Sequence, residues 1–158
     1  MDPQVRQRVL RQITYGLYVV TTRHGDQIAA GTVNWVTQAS LEPPLVVVGM
    51  KNGSGIAALT DQSRRFAINI LGVGQKETAA AFFKPTTISG DRMNGIRFRY
   101  GEFGLPILLD LPSACECSVE EIVRRGDHDI VVGRVTGIYE HLNVPPLSMA
   151  STGWYYGG

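Results

Sequence analysis

The feature that most constrains this chain is a series of short β-rich runs, separated by glycine or proline at turn positions. Runs rich in Val, Ile, Thr and aromatic residues occupy 17–22, 27–36, 45–50, 65–71, 96–100, 106–109, 114–123 and 130–139. Helical patterns are fewer and shorter, near 3–13, 54–63 and 75–84. Strands therefore outnumber helices, and their turn spacing is typical of a barrel. We expect one mainly β domain over residues 1–158, a closed antiparallel barrel with short helical insertions.

Three segments carry more specific expectations about packing. Leu45–Met50 follows two prolines and is apolar on both faces, which predicts a central, buried strand. In the first helix Val5, Val9 and Ile13 form an apolar stripe that can cover one end of the sheet. Thr86–Asn94 is polar and is predicted to be a loop.

Charge and length exclude several classes of protein. The 15 Lys+Arg against 14 Asp+Glu leave a formal charge of +1, and the basic residues are scattered, so we expect no nucleic-acid partner. The N-terminal segment lacks the apolar core of a signal peptide, and no apolar run approaches the roughly 20 residues of a membrane-spanning helix. We therefore expect a soluble, cytoplasmic protein without a membrane partner.

The ionisable residues do not form a recognisable hydrolytic or metal site. Three histidines and two cysteines show no metal-ligand spacing, and no local motif assembles a Ser–His–acid triad, so we expect no metal. Cys115 and Cys117 stand two residues apart on a predicted strand, which favours two reduced thiols over a disulfide. His24 and His141 are predicted to be surface residues. His128 follows Gly-Asp, where a histidine is as typical of a turn as of a reactive site.

A glycine-rich turn precedes the second predicted helix. The residues from Gly53 to Ala58 fit the spacing G-x-G-x-x-A of a dinucleotide-binding fingerprint. The acidic residue about 20 positions further on is missing and no parallel βαβ series follows, so we favour the barrel over a Rossmann fold. Lys51, Asn52, Ser54 and the free N–H groups of a helix start would instead suit one phosphate. An ordinary capped turn with a solvated lysine explains the same residues, and the sequence leaves both interpretations open.

Several motifs occur in the order and spacing of one known family. The segment Ala30–Val46 resembles the hallmark segment of the flavin reductase-like family, and Phe66–Leu71 and Gln75–Phe82 are similar to its next strand and helix. Further matches are the Gly-x-Pro-x-Leu turn at 104–108, the acidic-cysteine strand at 115–117 and the Gly-Asp-His motif at 126–128. The sequence Trp-Val-Thr-Gln-Ala-Ser at 35–40 is similar to the reductase module of diflavin flavoproteins. The closing Tyr-Gly-Gly is similar to the end of flavoredoxin-type members.

This resemblance implies an FMN-binding split β-barrel, mainly β and antiparallel, of Greek-key type. The residues that it implies as flavin-ring contacts are Thr32, Val33, Asn34, Trp35 and Ser40, with Asn69 to Leu71 lining the same groove. The residues that it implies near the phosphate are Lys51, Asn52 and Ser54, and further contacts are Gln75, Phe82 and Lys84. A tryptophan in a β-rich run is also typical of a core residue.

The resemblance also implies an activity, that of an NAD(P)H-dependent flavin reductase in which a reduced nicotinamide transfers hydride to FMN. His128 corresponds to the catalytic-site histidine beside the nicotinamide in such reductases. We expect a homodimer whose interface the aromatic tail crosses, and a monooxygenase or a rubredoxin-type protein as redox partner. Two alternatives stay open, an FMN electron carrier serving a protein partner and a flavin-binding barrel without turnover. The sequence also leaves open FAD in place of FMN, and NADH against NADPH.

Overall fold

The computed structural model describes residues 1–157, in which strands dominate. Within that range the helices are α1 (Pro3–Leu10), α2 (Gly55–Ser63), α3 (Lys76–Ala81) and α4 (Met149–Thr152). The strands are β1 (Tyr18–His24), β2 (Gln27–Val33), β3 (Val36–Ser40), β4 (Leu45–Lys51), β5 (Arg65–Ile70), β6 (Ile88–Ser89), β7 (Arg92–Met93), β8 (Ile96–Tyr100), β9 (Pro106–Leu108), β10 (Ser113–Arg124) and β11 (His128–Glu140). The mainly β class is confirmed. None of the helices in residues 1–157 combines the length and apolar character needed to span a bilayer.

Seven antiparallel strands form the main sheet, in the order β2-β1-β5-β10-β11-β4-β3. Some neighbouring strands, such as β1 and β5 or β11 and β4, are far apart in the sequence, as in Greek-key barrels. β2 and β3 stand at the two ends of the order and are not paired with each other. The expectation of a closed barrel is therefore wrong, and the split barrel that the family resemblance implies is confirmed.

The barrel is split where the chain exchanges one partner strand for another. β2 pairs with β1 up to Val33, and β3 pairs with β4 from Val36 onwards. The prediction of one strand over 27–36 is wrong, because the two residues between these points interrupt the ladder. Asn34 is buried there, and its side-chain amide donates to the sulfur of Met149 (3.4 Å).

Two large apolar cores and a smaller one, formed by Ala67, Leu105, Ile107 and Ala114, pack against the sheet. Adjacent strand residues point to opposite faces, so in β1 Val19 belongs to one core and Val20 to the other. The first core includes Leu17, Leu71, Phe82, Met93, Phe98 and Leu108, and the second includes Val48, Met50, Ile56, Phe66 and Ile68. In β4 only Val48 and Met50 are buried, because this strand lies beside the edge strand β3. The strand is not at an edge, but the expectation that 45–50 is buried is wrong for most of its residues.

A second, four-stranded sheet follows α3, in the order β6-β7-β8-β9. Its first two strands lie within 86–94, so the prediction of a loop there is wrong. Asn94, in the left-handed region (φ 48°), accepts the Thr87 N–H (2.7 Å) and donates to the Ala81 carbonyl (2.9 Å). These bonds hold the small sheet against the end of α3. Strands of two residues are too short to show a periodic pattern in sequence.

The first helix forms as predicted but packs differently. Asp2 caps α1 by accepting the N–H groups of the two residues after Pro3. Val5, Val9 and Ile13 are all about half exposed. The expectation that their stripe covers the sheet is therefore wrong within this chain.

The structure also places the remaining ionisable residues that the sequence singled out. Cys115 and Cys117 are free thiols with sulfurs 3.9 Å apart, as expected. His24 is exposed, also as expected. His141 is not a surface residue, because its Nδ1 is hydrogen-bonded to the Leu111 carbonyl (2.9 Å) and its Nε2 is buried.

A buried carboxylate joins the second sheet to the main one. Glu116 of β10 is fully buried and accepts the N–H groups of Phe103 (3.1 Å) and Leu105 (3.1 Å) and the hydroxyl of Tyr139 (2.6 Å). The first two donors lie in the connection between β8 and β9. A buried carboxylate is tolerated where donors surround it, so Glu116 anchors that connection to β10 and β11.

Removing one donor tests this anchor. Tyr139→Phe should lower the free energy of unfolding by about 1–3 kcal/mol, because a buried acceptor loses its partner. Tyr100→Phe is the matched control, since that ring is 46% exposed at the end of β8. Urea unfolding followed by circular dichroism measures both variants. Equal losses in the two variants would contradict the anchor.

The same tyrosine makes stability depend on alkaline pH. Burial, and then the hydrogen bond to Glu116, raise the pKa of Tyr139. A raised folded-state pKa contributes stability that is present below the unfolded value of about 10 and is lost as the pH rises through the folded value. The stability difference between wild type and Tyr139→Phe should therefore shrink from about pH 9 to pH 11. Urea titrations across that range measure it, and a constant difference would exclude ionisation of Tyr139.

Candidate functional site

A cavity of about 1120 Å³ opens along the free edge of β2. Its lining comes mainly from β2, from the turn between β4 and α2, from segment 82–86 and from the C-terminal segment 149–156, and Leu17 and His128 complete it. The lining is mostly apolar, and the polar side chains in it are Thr32, Asn34, Lys51, Ser54, Lys84, Thr86, His128, Tyr155 and Tyr156. A large apolar cavity with a few polar groups is typical of a small-molecule or cofactor site.

The free edge of β2 supplies backbone hydrogen-bonding groups to this cavity. In the antiparallel ladder with β1, the peptide groups of alternate residues point away from the partner strand. The Ala30 N–H points away in this manner and donates to the Thr86 hydroxyl (2.9 Å). By the same alternation the Thr32 peptide group points away from β1. The Thr32 hydroxyl donates to the Ala79 carbonyl (2.7 Å), so what Thr32 offers a ligand is its backbone.

The turn between β4 and α2 gives the cavity a positively charged end. Gly53 has φ +75°, a left-handed conformation that favours glycine. Ser54 then caps α2 by accepting a backbone N–H of its first turn (3.2 Å). N–H groups in a first helical turn lack helical acceptors, and Gly55 and Ile56 line the cavity there. With Lys51 beside them, these groups suit an anion such as phosphate.

His128 lies next to this charged end, because β11 begins opposite Lys51 in its register with β4. Its Nδ1 donates to the Asp127 carboxylate (2.8 Å), and its Nε2 is hydrogen-bonded to the Tyr156 hydroxyl (2.8 Å). The bond to His128 lowers the pKa of Asp127, and burial raises the pKa of Tyr156. The imidazole centroid also lies 4.5 Å from that of Trp35. Three neighbours thus fix the orientation of the imidazole at the cavity wall.

Aromatic side chains form the wall at the other end. Phe82 is buried in the core, whereas Phe83 is exposed and meets Trp154 edge-on, with ring centroids 5.1 Å apart. The ammonium of Lys76 lies 4.9 Å from the Trp154 ring centroid. Lys84, next to this pair, also lines the cavity. Both ends of the cavity therefore carry positive charge.

The structure brings eight of the predicted site residues together on this one cavity. They are Thr32, Val33, Asn34, Lys51, Ser54, Phe82, Lys84 and His128. Their roles towards a ligand stay predictions. Their shared location follows from the open edge of β2, around which the four lining segments converge.

Asn69, Leu71 and Gln75 do not line the cavity. Asn69 is fully buried, and its amide donates to the backbone of β1 (3.1 Å) and accepts from that of β9 (2.8 Å). Leu71 is fully buried in a core. Gln75 accepts the Gly72 N–H (2.8 Å) and donates to the Asp110 carbonyl (2.7 Å). The structure contradicts the expectation that 69–71 line the groove, because their side chains are used within the fold.

Three further predicted contacts lie near the cavity but outside it. The Trp35 ring packs behind the wall against Tyr156, and its Nε1 has no hydrogen-bond acceptor within residues 1–157. Ser40 pairs with the start of β4, whereas the cavity lies at the end of that strand. The Asn52 side chain donates to the Gly126 carbonyl (2.8 Å) and so closes the turn. None of the three side chains faces the cavity in this chain.

The sequence interpretation missed several lining residues. Among them are Ile56, Phe83, Thr86, Met149, Trp154, Tyr155 and Tyr156. The aromatic composition of the tail was a signal, but it was interpreted as a subunit contact. Here the tail folds over the cavity of its own chain, although Tyr155 is 74% exposed. Gly158, which ends the Tyr-Gly-Gly motif, lies outside the described residues.

The model of the flavin reductase like domain family matches residues 10–157. The chain belongs to this family. The match covers nearly the whole fold, including β2, the turn before α2, His128 and the tail, so the family resemblance of the motifs is confirmed.

Members of the family resemble the chain over most of its length. A probable flavin reductase of Rhizobium meliloti is 33% identical over 155 residues, which are 98% of this chain and 49% of that protein. The reductase subunit HsaB of a flavin-dependent monooxygenase from Mycobacterium tuberculosis is 32% identical over 146 residues, 92% of this chain and 76% of that protein. The solved structure of flavin reductase PheA2 matches with a TM-score of 0.79 at 28% identity, covering 94% of this chain and 93% of that one. The chain thus spans about half the length of the first relative.

Trp35 is expected to hold the tail against the cavity. Its ring contacts His128 and Tyr156 and approaches Gly157. Trp35→Ala should lower stability by about 2 kcal/mol and speed chymotrypsin cleavage after Tyr155 or Tyr156 about tenfold, because the segment loses its support. Trp35→Phe is the matched control, since it keeps an aromatic ring. Cleavage followed by mass spectrometry measures the effect, and equal rates in both variants would refute this role.

Proposed function

We propose that this protein is an NAD(P)H-dependent flavin reductase that transfers hydride from a reduced nicotinamide to FMN. The observation that carries the proposal is the cavity along the free edge of β2, apolar in its middle and positively charged at its ends. Membership of the flavin reductase like domain family supports the same activity. So do the named reductases that match the chain.

The middle of the cavity fits a flavin ring. A flavin is flat and apolar with a hydrogen-bonding edge, so its site needs an apolar slot with donors along one side. Val33 and Ile56 provide apolar surface, and the Thr32 N–H lies at the free edge. Gly31 has no side chain that would keep a ring away from the strand. Bound there, the flavin supplies the hydride acceptor, and fixed N–H donors stabilise the charge that develops on it.

The charged turn before α2 fits one phosphate. Lys51, the Ser54 hydroxyl and the first N–H groups of α2 converge within the lining of the cavity. A single anion there corresponds to the one phosphate of FMN, which is why FMN is proposed over FAD. Asn52, expected in the same role, contributes through the turn that it closes.

The remaining space and His128 fit the nicotinamide. Cavities for drug-sized ligands measure roughly 300–1,000 Å³, so about 1120 Å³ leaves room for a second ring beside the flavin. Hydride transfer needs the two rings in contact and correctly oriented. His128, fixed by Asp127 and Tyr156, gives the second ring a rigid wall. Its role is positioning, because both ring nitrogens already have partners.

The reduced flavin requires an acceptor, and the relatives indicate its class. HsaB is named as the reductase subunit of a flavin-dependent monooxygenase. We therefore propose a monooxygenase as the partner that consumes the reduced flavin. A homodimer is part of the same proposal, since the exposed stripe of α1 and Tyr155 offer apolar surface for a second copy. A rubredoxin-type partner stays a prediction that no contact in the fold favours.

The phosphate contacts provide the test of flavin binding. Lys51→Gln should lower the preference for FMN over riboflavin about tenfold, because riboflavin lacks the phosphate that a charge-assisted bond would hold. Arg99→Gln is the control, since it removes the same charge from an exposed position on β8. Fluorescence titration of both flavins measures the ratio. An unchanged ratio of FMN to riboflavin affinity in Lys51→Gln would show that the phosphate does not bind at this turn.

Activity is tested on the wild-type protein with both reduced nicotinamides, with and without added FMN. We expect NAD(P)H oxidation that depends on FMN, followed at the absorbance of the reduced nicotinamide. Flavin binding without oxidation of either donor would leave the FMN electron carrier and the flavin-binding barrel without turnover. Absence of flavin binding would overturn the proposed function.

A further inference from the structure

The two cysteines of this chain form a thiol pair on β10. Their sulfurs lie 3.9 Å apart, in contact but without a covalent bond. Residues two apart on a strand point to the same face, so Cys115 and Cys117 share one face of the sheet. Cys117 is buried against Gly133 of β11, where an added Cβ would lie 3.1 Å from the Cβ of the cysteine. Cys115 is only partly buried, so one thiol is within reach of solvent and the other lies behind it.

The surface beside Cys115 is open on the β11 side. Cys115 lies opposite Ile138 in the ladder between β10 and β11, and directly opposite residues share a face. The Ile138 side chain is 79% exposed. β4 pairs with β11 only between His128 and Arg134, so within residues 1–157 no strand continues the sheet beyond Ile138. A small solute can therefore reach the Cys115 sulfur.

The two thiols differ in acidity because one donates a hydrogen bond to the other. The bond from the Cys117 thiol, and to a smaller extent the Ile68 N–H, lower the pKa of Cys115 against the effect of burial. The same bond, and then burial, raise the pKa of Cys117. The thiolate is the nucleophilic form of cysteine, and oxidation-sensitive cysteines are accessible and lie beside a second thiol. Cys115 is therefore the nucleophile of the pair, and Cys117 holds a proton next to it.

The ladder between the two thiols is irregular. Thr136 is an extra residue on β11, opposite the step from Glu116 to Cys117, so the register shifts there. The Thr136 hydroxyl donates to the Glu116 carbonyl (3.1 Å), which lies between the two cysteines. A disulfide needs sulfurs about 2.05 Å apart, so β10 must bend at Glu116 to form one. Ladder pairing is disrupted at a bulge, which makes this the point where the strand yields.

We propose that Cys115 and Cys117 are an oxidation site, which hydrogen peroxide converts from two thiols to a disulfide. In the first step the Cys115 thiolate attacks one peroxide oxygen, the O–O bond breaks, and the released hydroxide takes up the proton that Cys115 lost. This step gives a sulfenic acid and one water. In the second step the Cys117 sulfur attacks the Cys115 sulfur, the S–O bond breaks, and hydroxide leaves with the Cys117 proton as a second water. The two sulfurs are oxidised and the peroxide is reduced.

The activity proposed above supplies a source of this oxidant. Reduced flavin that leaves a reductase reacts with dioxygen, which gives oxidised flavin and hydrogen peroxide. The oxidation site goes beyond that activity and does not depend on it, because peroxide from any source oxidises the same two sulfurs.

Mass spectrometry of the full chain tests the site. The wild-type protein is treated with hydrogen peroxide, the excess is removed with catalase, and the chain is unfolded in iodoacetamide. We expect a single chain that carries no alkyl group and is lighter than the reduced chain by two hydrogens. Dithiothreitol should restore alkylation of both thiols. Alkylation of both thiols after peroxide, a disulfide between two chains, or a stable acid on Cys115 with Cys117 still alkylated would each overturn the proposal.

Two serine variants assign the roles of the thiols. Cys117→Ser should stop at the sulfenic acid of Cys115, which dimedone traps as a thioether. Cys115→Ser is the matched control, since it leaves only the buried thiol, and its oxidation should be at least about tenfold slower. Melting temperatures within a few degrees of wild type show that the variants are folded, and the wild-type measurement decides the disulfide by itself. Equal oxidation rates in the two variants would refute Cys115 as the nucleophile.

Discussion

The unpaired edge of β2 is the constraint on which the rest of this structure depends. A sheet edge exposes N–H and C=O groups that must find water, a side chain or a ligand. Here β2 and β3 are consecutive in the chain but stand at opposite ends of the sheet order. Thr86 satisfies one peptide group of the edge, and the cavity opens along the remainder. The split in the barrel is therefore what creates a binding edge.

Two contacts across β2 decide which chemical groups reach that edge. On one face Ile56 of α2 packs against Gly31, so Ser54 and the first turn of the helix border the cavity. On the other face the bond from Thr32 to Ala79 fixes α3, and segment 82–86 follows from it. The tail then covers the opening through Trp154 and Tyr156. A flavin-sized apolar slot with positive ends results from this convergence.

Asn69 and Gln75 were predicted to contact the flavin, but their side chains form hydrogen bonds within the fold. Asn69 and Gln75 are polar residues in family motifs, but polar side chains also serve the fold. Asn69 bonds the backbones of β1 and β9, and Gln75 bonds two loop backbones. A motif records that a residue type recurs at a position. It does not distinguish a ligand contact from an internal hydrogen bond, because both use the same amide groups.

The sequence by itself determined the β-rich class, most of the longer strands, the capped start of α2 and the family, because these depend on local periodicity, turn residues and short motifs. The tertiary structure alone decided that the barrel is split at Asn34, that α1 stands off the sheet and that the tail borders the cavity. It also gathered all three lysines around one cavity. These outcomes depend on which distant segments pair, and pairing is set by packing between residues that no local pattern connects.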